Sequence, residues 1–452
     1  MSDNNENRDN RVRVRNSIPI RTLQSICVVL AFFAVLLGIV VIGGLLSRVI
    51  NGTTEQMNLS ITKPTIFTTV YDPSPTPTPS PTPFVLKEKM PWTSEKQEML
   101  DNYFGPLPEV TNVVPVKHKE VKGIYTNAAK NLEANFELAK NSEINSFVID
   151  LKESYGVLFD SKNSTANDIG YVYPQYDLVE VCNQCHENGI YVIGRIVCFK
   201  DVALAKKYPD RAICDSAGNP LAFYNEGGEI FASPYDSRNW DYLIELAQEA
   251  ISMGVDEIQF DYIRFPTGGS TSGAEPYFGV EGEVPTKAEA INRFLITARR
   301  KIQDPTGVPV SADIFGIAVS SSLDGEILGQ DWAYLGLTGV DSLCPMIYPS
   351  HYAKGTMMNG HIHDYPDKAP YQVMFDALTI GGKYHKAEGY STVRPYCQAF
   401  TAAYLGEGNY MVYDYEAIND QIKAIEDSGL DEYVLWNVEG IYPNGKYGGN
   451  DG

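Results

Sequence analysis

From about Val116 onward, short apolar runs rich in β-branched and aromatic residues alternate with longer runs whose apolar positions recur at helical spacing. The short runs predict strands at Gly123–Thr126, Ser146–Lys152, Tyr191–Phe199, Glu257–Ile263, Pro309–Ile314, Asp341–Tyr348, Val393–Phe400 and Tyr433–Asn437. The longer ones predict helices at Leu132–Lys140, Asp177–Asn188, Trp240–Met253, Lys287–Ile302, Gln372–Gly381 and Glu416–Ser428. Strand-helix alternation of this kind demands parallel pairing through right-handed crossovers. Eight such units in roughly 320 residues suit a closed (β/α)8 TIM barrel of the α/β class better than an open doubly wound sheet. No glycine-rich G-x-G-x-x-G turn follows the first strand, which weighs against a dinucleotide-binding sheet.

Ahead of this region the pattern changes twice. Residues 26–46 (Ile26 to Leu46) form an uncharged apolar run long enough to cross a hydrocarbon core of ~30 Å as a helix. Arg8, Arg11, Arg13, Arg15 and Arg21 precede it and only Arg48 follows closely, so residues 1–25 are expected in the cytoplasm and the rest outside the cell. No A-x-A-like cleavage site ends the run, which favours a retained anchor in the lipid bilayer over a signal peptide. Residues 47–115 read as a linker, with proline at every second position between Asp72 and Pro83 favouring an extended polyproline stalk. The barrel is assigned to 116–452.

Composition narrows the chemistry. A net charge of −21 opposes binding to nucleic acid or other polyanions, because such partners are held chiefly by lysine and arginine. Cationic aminoglycans would be favoured instead. The 29 tyrosines suit polar, aromatic-lined clefts. Six of the seven cysteines lie beyond the apolar segment, and free buried thiols are the expectation for a domain this large.

In a closed barrel, functional side chains belong at the C-terminal ends of the strands. In the fourth strand, EIQFDYIRFP, period-two alternation sets Glu257, Gln259 and Asp261 on one face and Ile258, Phe260 and Tyr262 on the other. The apolar face should meet the helices, leaving Gln259 and Asp261 toward the barrel mouth. The same alternation places Asp150 at the end of the second strand, Arg195 in the third, Asp313 at the end of the fifth, and Arg394 with Gln398 on the seventh. Two inward carboxylates on neighbouring strands exceed what packing needs, and glycoside hydrolysis uses such a pair, one as proton donor and one as nucleophile or base. Asp261 and Asp313 are the candidate pair. The bland alternative is that each aspartate pairs with an arginine such as Arg195 or Arg264. Candidate supports for a glycan are Asp150, Lys152, Arg195, Gln259, Arg264, Tyr348, His351, Gln398 and Trp436.

Two rival motifs are weaker. Cys182–His186 matches the C-x-x-C-H of c-type haem attachment, but it lies in the amphipathic run YDLVEVCNQCHENGI where a barrel helix is expected. The HIH at His361–His363 stands apart from any cysteine pair with zinc-finger spacing, so neither cofactor nor metal is expected.

The runs GVDEIQFDYIRFP, GIYVIGRIVCFKD, FVIDLKESYG, SADIFG and MIYPSHY together resemble a bacterial family described as a "putative glycosyl hydrolase domain", over about Lys122 to Gly440. The resemblance implies a glycosidase-type TIM barrel and fixes no substrate, with the family's strand-four and strand-five aspartates falling on Asp261 and Asp313. Taken with the expected anchor, the leading expectation is hydrolysis of a wall or extracellular polysaccharide. By analogy with α-amylase-like barrels the resemblance suggests Asp261 as nucleophile and Asp313 as proton donor, although this chain lacks the R-x-D pattern those enzymes carry on the nucleophile strand. The competing expectation is a barrel that binds glycan without cutting it.

Overall fold

The computed structural model describes residues 90–448. The expected tail, the apolar segment Ile26–Leu46 and the proline-rich stalk lie outside those residues. Among the described residues no helix is long and apolar enough to cross a membrane.

Eight parallel strands form the centre: β1 (Lys122–Tyr125), β2 (Ser146–Glu153), β3 (Tyr191–Val197), β4 (Glu257–Asp261), β5 (Val310–Phe315), β6 (Ser342–Met346), β7 (Tyr396–Gln398) and β8 (Tyr433–Trp436). They neighbour one another in chain order, and β1 pairs with both β2 and β8, so the sheet closes into a barrel. The expected strands coincide with these to within a few residues. The seventh is shortened because Pro395 has no N–H for the ladder; Thr392–Val393 pairs with β6 before it and β7 resumes after it.

The principal helices are α1 (Ser94–Phe104), α2 (Leu132–Lys140), α3 (Leu178–Glu187), α4 (Ser237–Ser252), α5 (Lys287–Lys301), α6 (Pro370–His385) and α7 (Tyr415–Asp427). Their starts carry side-chain caps where the sequence offers Asp or Thr. Asp177, Asp236 and Asp414 each accept a backbone N–H of the first turn, and Thr286 with Glu289 forms a reciprocal capping box on α5. Between β5 and β6 a single long helix is replaced by three short ones at Gly316–Ser320, Ser322–Leu328 and Trp332–Leu335.

One boundary needs correction. The stretch read as linker to residue 115 includes α1, which begins at the Thr93 cap and packs Phe104 on Trp240 of α4 at 4.8 Å between ring centroids. Asp101 pairs with the buried Arg293 of α5, and Val114 N–H donates to the Asp304 carbonyl at 2.7 Å. The folded unit therefore begins upstream of Val116, with α1 held against the barrel wall.

The core has two parts, as alternation requires. Outward side chains of the strands meet the helices, with Phe260, Phe199 and Trp240 converging on Phe294 of α5 at 5.2, 5.4 and 6.0 Å. A smaller cluster of Val148, Ile193, Cys344, Tyr348, Tyr396 and Val434 fills the barrel itself. Gly316, directly after β5, allows the closest approach there: a Cβ would stand 2.4 Å from the Met346 carbonyl oxygen.

The floor of the barrel is an ionic network. The fully buried Arg394 donates to Glu257 at 2.6 Å and to Glu432 at 2.8 Å, and the Ser311 hydroxyl donates to the same Glu257 oxygen at 2.6 Å. His118, on the segment leading into β1, closes the network from below at 2.7 Å from Asp341 and 3.1 Å from Glu432. Those two carboxylates raise the His118 pKa from its ordinary 6.5 to about 10. A folded-state pKa above the unfolded one means that this contribution is complete below pH 6.5 and disappears as pH rises through about 10. His118→Ala should therefore lose the part of the stability decline that wild type shows across that window, measured as urea midpoints at a series of pH values. Parallel curves for the two proteins would show that the histidine carries no proton-linked stability.

Candidate active site

The opposite, C-terminal end of the strands holds a different balance of charge. Asp150 of β2, Arg195 of β3, Asp261 of β4 and Asp313 of β5 converge there, all nearly or fully buried. Arg195 is shared: Nε and Nη2 both donate to Asp261 Oδ2, at 2.9 and 2.6 Å, while Nη1 donates to Asp150 Oδ1. The other oxygen of Asp150 accepts the Tyr125 hydroxyl at 2.7 Å, and the guanidinium lies 5.3 Å from the centre of the Trp436 ring. Asp261 Oδ1 accepts the N–H of Tyr262 at 2.6 Å. Tyr262 has φ of 51°, a left-handed conformation costly for a bulky residue, which turns the chain sharply as it leaves β4.

Asp313 is treated differently. Only 2% of its surface is exposed, and among the described residues its Oδ1 has no hydrogen-bond partner. Burial pushes its pKa well above the ordinary carboxylate range, the charge of Asp261 pushes the same way, and Arg195 opposes with less effect. The three carboxylates thus divide into two held by one arginine and one left desolvated.

Asp261, Asp313 and Arg195 open onto a pocket of about 170 Å³ whose walls are Tyr262, Phe315, Tyr348, Tyr396, Phe400 and Trp436, with Met346 and His351 toward one side. A pair of acids can transfer protons at a bound sugar, and the largely aromatic wall can stack on its faces. Among the described residues no group of three or more histidines, cysteines and acids is arranged to hold a metal ion. His361 and His363 both turn to Asp376 of α6, at 2.8 and 3.1 Å.

Of the residues expected at the site, Asp261, Asp313, Arg195, Tyr348, His351 and Trp436 line this pocket, and Asp150 lines an adjoining cleft. Gln259 lies one layer deeper, accepting the Tyr396 hydroxyl at 2.6 Å and so fixing a ring of the pocket wall. Three expectations are corrected. Lys152 does not face the mouth: a register shift against β3 between Asp150 and Lys152 turns it aside, and its ammonium pairs with Asp201 and the Val197 carbonyl, both at 2.8 Å. Arg264 is occupied by Glu226, at 2.8 and 3.0 Å, because the turn at Tyr262 carries it to the loops beside β4. Gln398 accepts the Ser350 N–H at 3.0 Å and donates to Asp367 at 2.8 Å, tying two segments of the loop after β6 to the end of β7.

Sequence reasoning missed Tyr396, Tyr125 and Phe400. Tyr396 was within reach, since it stands midway between Arg394 and Gln398 on the same inward face of the seventh strand. The C-x-x-C-H run is helix α3, as expected from its amphipathic pattern. Cys182 and Cys185 are free thiols buried against the barrel, their pKa values pushed up to about 12, and His186 pairs with Asp256 at 2.9 Å.

Residues 121–442 match the family described as "Putative glycosyl hydrolase domain". No curated protein matches the sequence. Among solved structures, the glycoside hydrolase domain of PgaB (BpsB) from Bordetella bronchiseptica is similar over 72% of this chain and 95% of its own, at 12% identity and a TM-score of 0.50. A hypothetical protein from Ruminiclostridium thermocellum shares 36% identity over 42% of this chain and 96% of its own, with a TM-score of 0.38. The first supports the barrel fold.

Removing the shared cation isolates two buried anions. Arg195→Met should lower stability at neutral pH by about 3–5 kcal/mol. Denaturant titration at neutral pH checks this, and a loss near zero would mean that the pair is not a structural clamp.

Proposed function

This chain belongs to the family described as "Putative glycosyl hydrolase domain", and we propose that it cleaves glycosidic bonds with Asp313 as proton donor and Asp261 as the anionic partner, nucleophile or base. The observation that carries this reading is the contrast between the two acids. Asp313 is desolvated and retains its proton above the usual carboxylate range, as a donor to a leaving oxygen must. Asp261 receives two hydrogen bonds from Arg195 and one from Tyr262 N–H, an environment suited to an anion facing a developing positive charge at the sugar ring. The arginine comes from the neighbouring strand β3, so the missing R-x-D pattern on β4 is no obstacle.

The substrate we propose is a wall or extracellular polysaccharide. Supporting this are the apolar run Ile26–Leu46 and the arginines before it, which favour a single-pass anchor with the barrel outside the cell. Protease added to intact cells should then degrade the barrel, and full protection would place it inside.

Asp313→Asn should reduce release of reducing ends by about a hundred- to ten-thousand-fold, and Asp261→Asn should do the same, with thermal unfolding of both variants cooperative. Product stereochemistry assigns the role of Asp261: net retention makes it the nucleophile, net inversion the base. Undiminished turnover in either variant would remove that residue from the chemistry. Binding without cleavage by wild type across a broad glycan panel would instead identify a glycan-binding barrel.

A further inference from the structure

The pocket between Asp261 and Asp313 is not isolated. On the β5–β6 side it runs into a second concavity of about 390 Å³ that shares Phe315, Met346 and His351 with it and ends at Ile317, Asp324 and Tyr404. On the β1–β2 side lies a third, of about 350 Å³, walled by Tyr125, Asp150, Glu153, Tyr155, Tyr173 and Tyr176. The saddle between this one and the centre consists of the Asp150–Arg195 pair and the Tyr125 and Trp436 rings, 4.5 Å apart. In a ring of eight strands, the β1–β2 and β5–β6 positions are diametrically opposite. The three concavities therefore form a trough across the whole barrel mouth, with the carboxylate pair at its middle.

Exposed aromatic rings mark both ends. Tyr155 and Tyr173 are 50% and 51% exposed on one wall, and Tyr404 is 69% exposed at the other end. Two of them are held in place, Tyr404 by its hydroxyl to Ser350 at 3.1 Å and Tyr155 by Glu229. Fixed, half-exposed rings in a groove are suited to stacking on sugar faces at little entropic cost. Charge selects among glycans. With the proton-retaining Asp313 set aside, the trough is lined by Asp150, Glu153, Asp261 and Asp324 against Arg195 and Lys130 alone, so an acidic polysaccharide would be repelled.

We infer that the mouth holds a polymeric glycan free of acidic sugars along its full diameter, so that cleavage falls within the chain and not at its end. This rests on the hydrolase reading for the cutting step, whereas the trough itself is a statement about binding. Two uncharged or cationic probes, partly de-N-acetylated chitin and soluble β-glucan, and one anionic probe, polygalacturonate, separate the two in the full chain. Binding of long oligomers of a recognised probe to the Asp313→Asn protein should weaken at least fivefold in Tyr173→Ala and in Tyr404→Ala backgrounds. The corresponding disaccharide should bind weakly in all of them, and Tyr334→Ala, an exposed ring outside the trough, serves as control. Wild type should release mixed oligomers first and leave polygalacturonate unbound. Single sugars from the outset, a dependence on only one of the two tyrosines, preference for polygalacturonate, or failure to bind any probe would each overturn the trough. Length-dependent binding that needs both tyrosines, with no cleavage by wild type, would uphold it and overturn the hydrolase reading instead.

Discussion

One guanidinium facing three carboxylates is the constraint on which the barrel mouth depends. Arg195 projects from β3 between β2 and β4 and spends its donors on Asp150 and Asp261. Among the described residues no donor reaches the Oδ1 of Asp313, and its burial and proximity to Asp261 favour its protonated form. The inequality is geometric: Arg195 is adjacent to the strands bearing its two partners, while Asp313 stands one strand further round the ring. A desolvated acid beside one held by an arginine is the contrast on which the proposed glycosidic cleavage rests.

The two ends of the barrel solve the same electrostatic problem differently. At the floor, Arg394 and His118 meet Glu257, Glu432 and Asp341, and Ser311 supplies a further donor, so each charge has a partner and the closed sheet is locked from below. At the mouth the pairing is incomplete, and among the described residues Asp313 Oδ1 stays without a donor. Unsatisfied groups of this kind are costly to a fold. The strained Tyr262 and the tight approach at Gly316 fall at the same end, on the strands that carry Asp261 and Asp313.

The sequence disclosed what depends on period and disclosed less of what depends on register. The eight strands, their helices and the inward face of β4 follow from alternation, which the closed barrel preserves. Lys152 shows the limit: by period it shares a face with Asp150, yet a one-residue irregularity against β3 sends it to Asp201. Arg264 and Gln398 were captured by Glu226 and Asp367, partners on loops whose positions no strand pattern encodes. The bland alternative, that Asp261 and Asp313 each pair with an arginine, holds for Asp261 and not for Asp313, since Arg195 pairs with Asp261 and Asp150 and Arg264 with Glu226. Which carboxylate would be left over depended on the order of neighbours around the ring.

Burial beside Asp261 raises the pKa of the Asp313 carboxyl above the ordinary carboxylate range. Carbon-13 titration of labelled aspartate carboxyls, with Asp313 assigned by its loss in the asparagine variant, measures this directly. The account predicts that the Asp313 carboxyl titrates above the exposed aspartates in wild type and moves to lower pH when Asp261 is replaced by asparagine. A carboxyl that titrates with the surface aspartates in both proteins would contradict it.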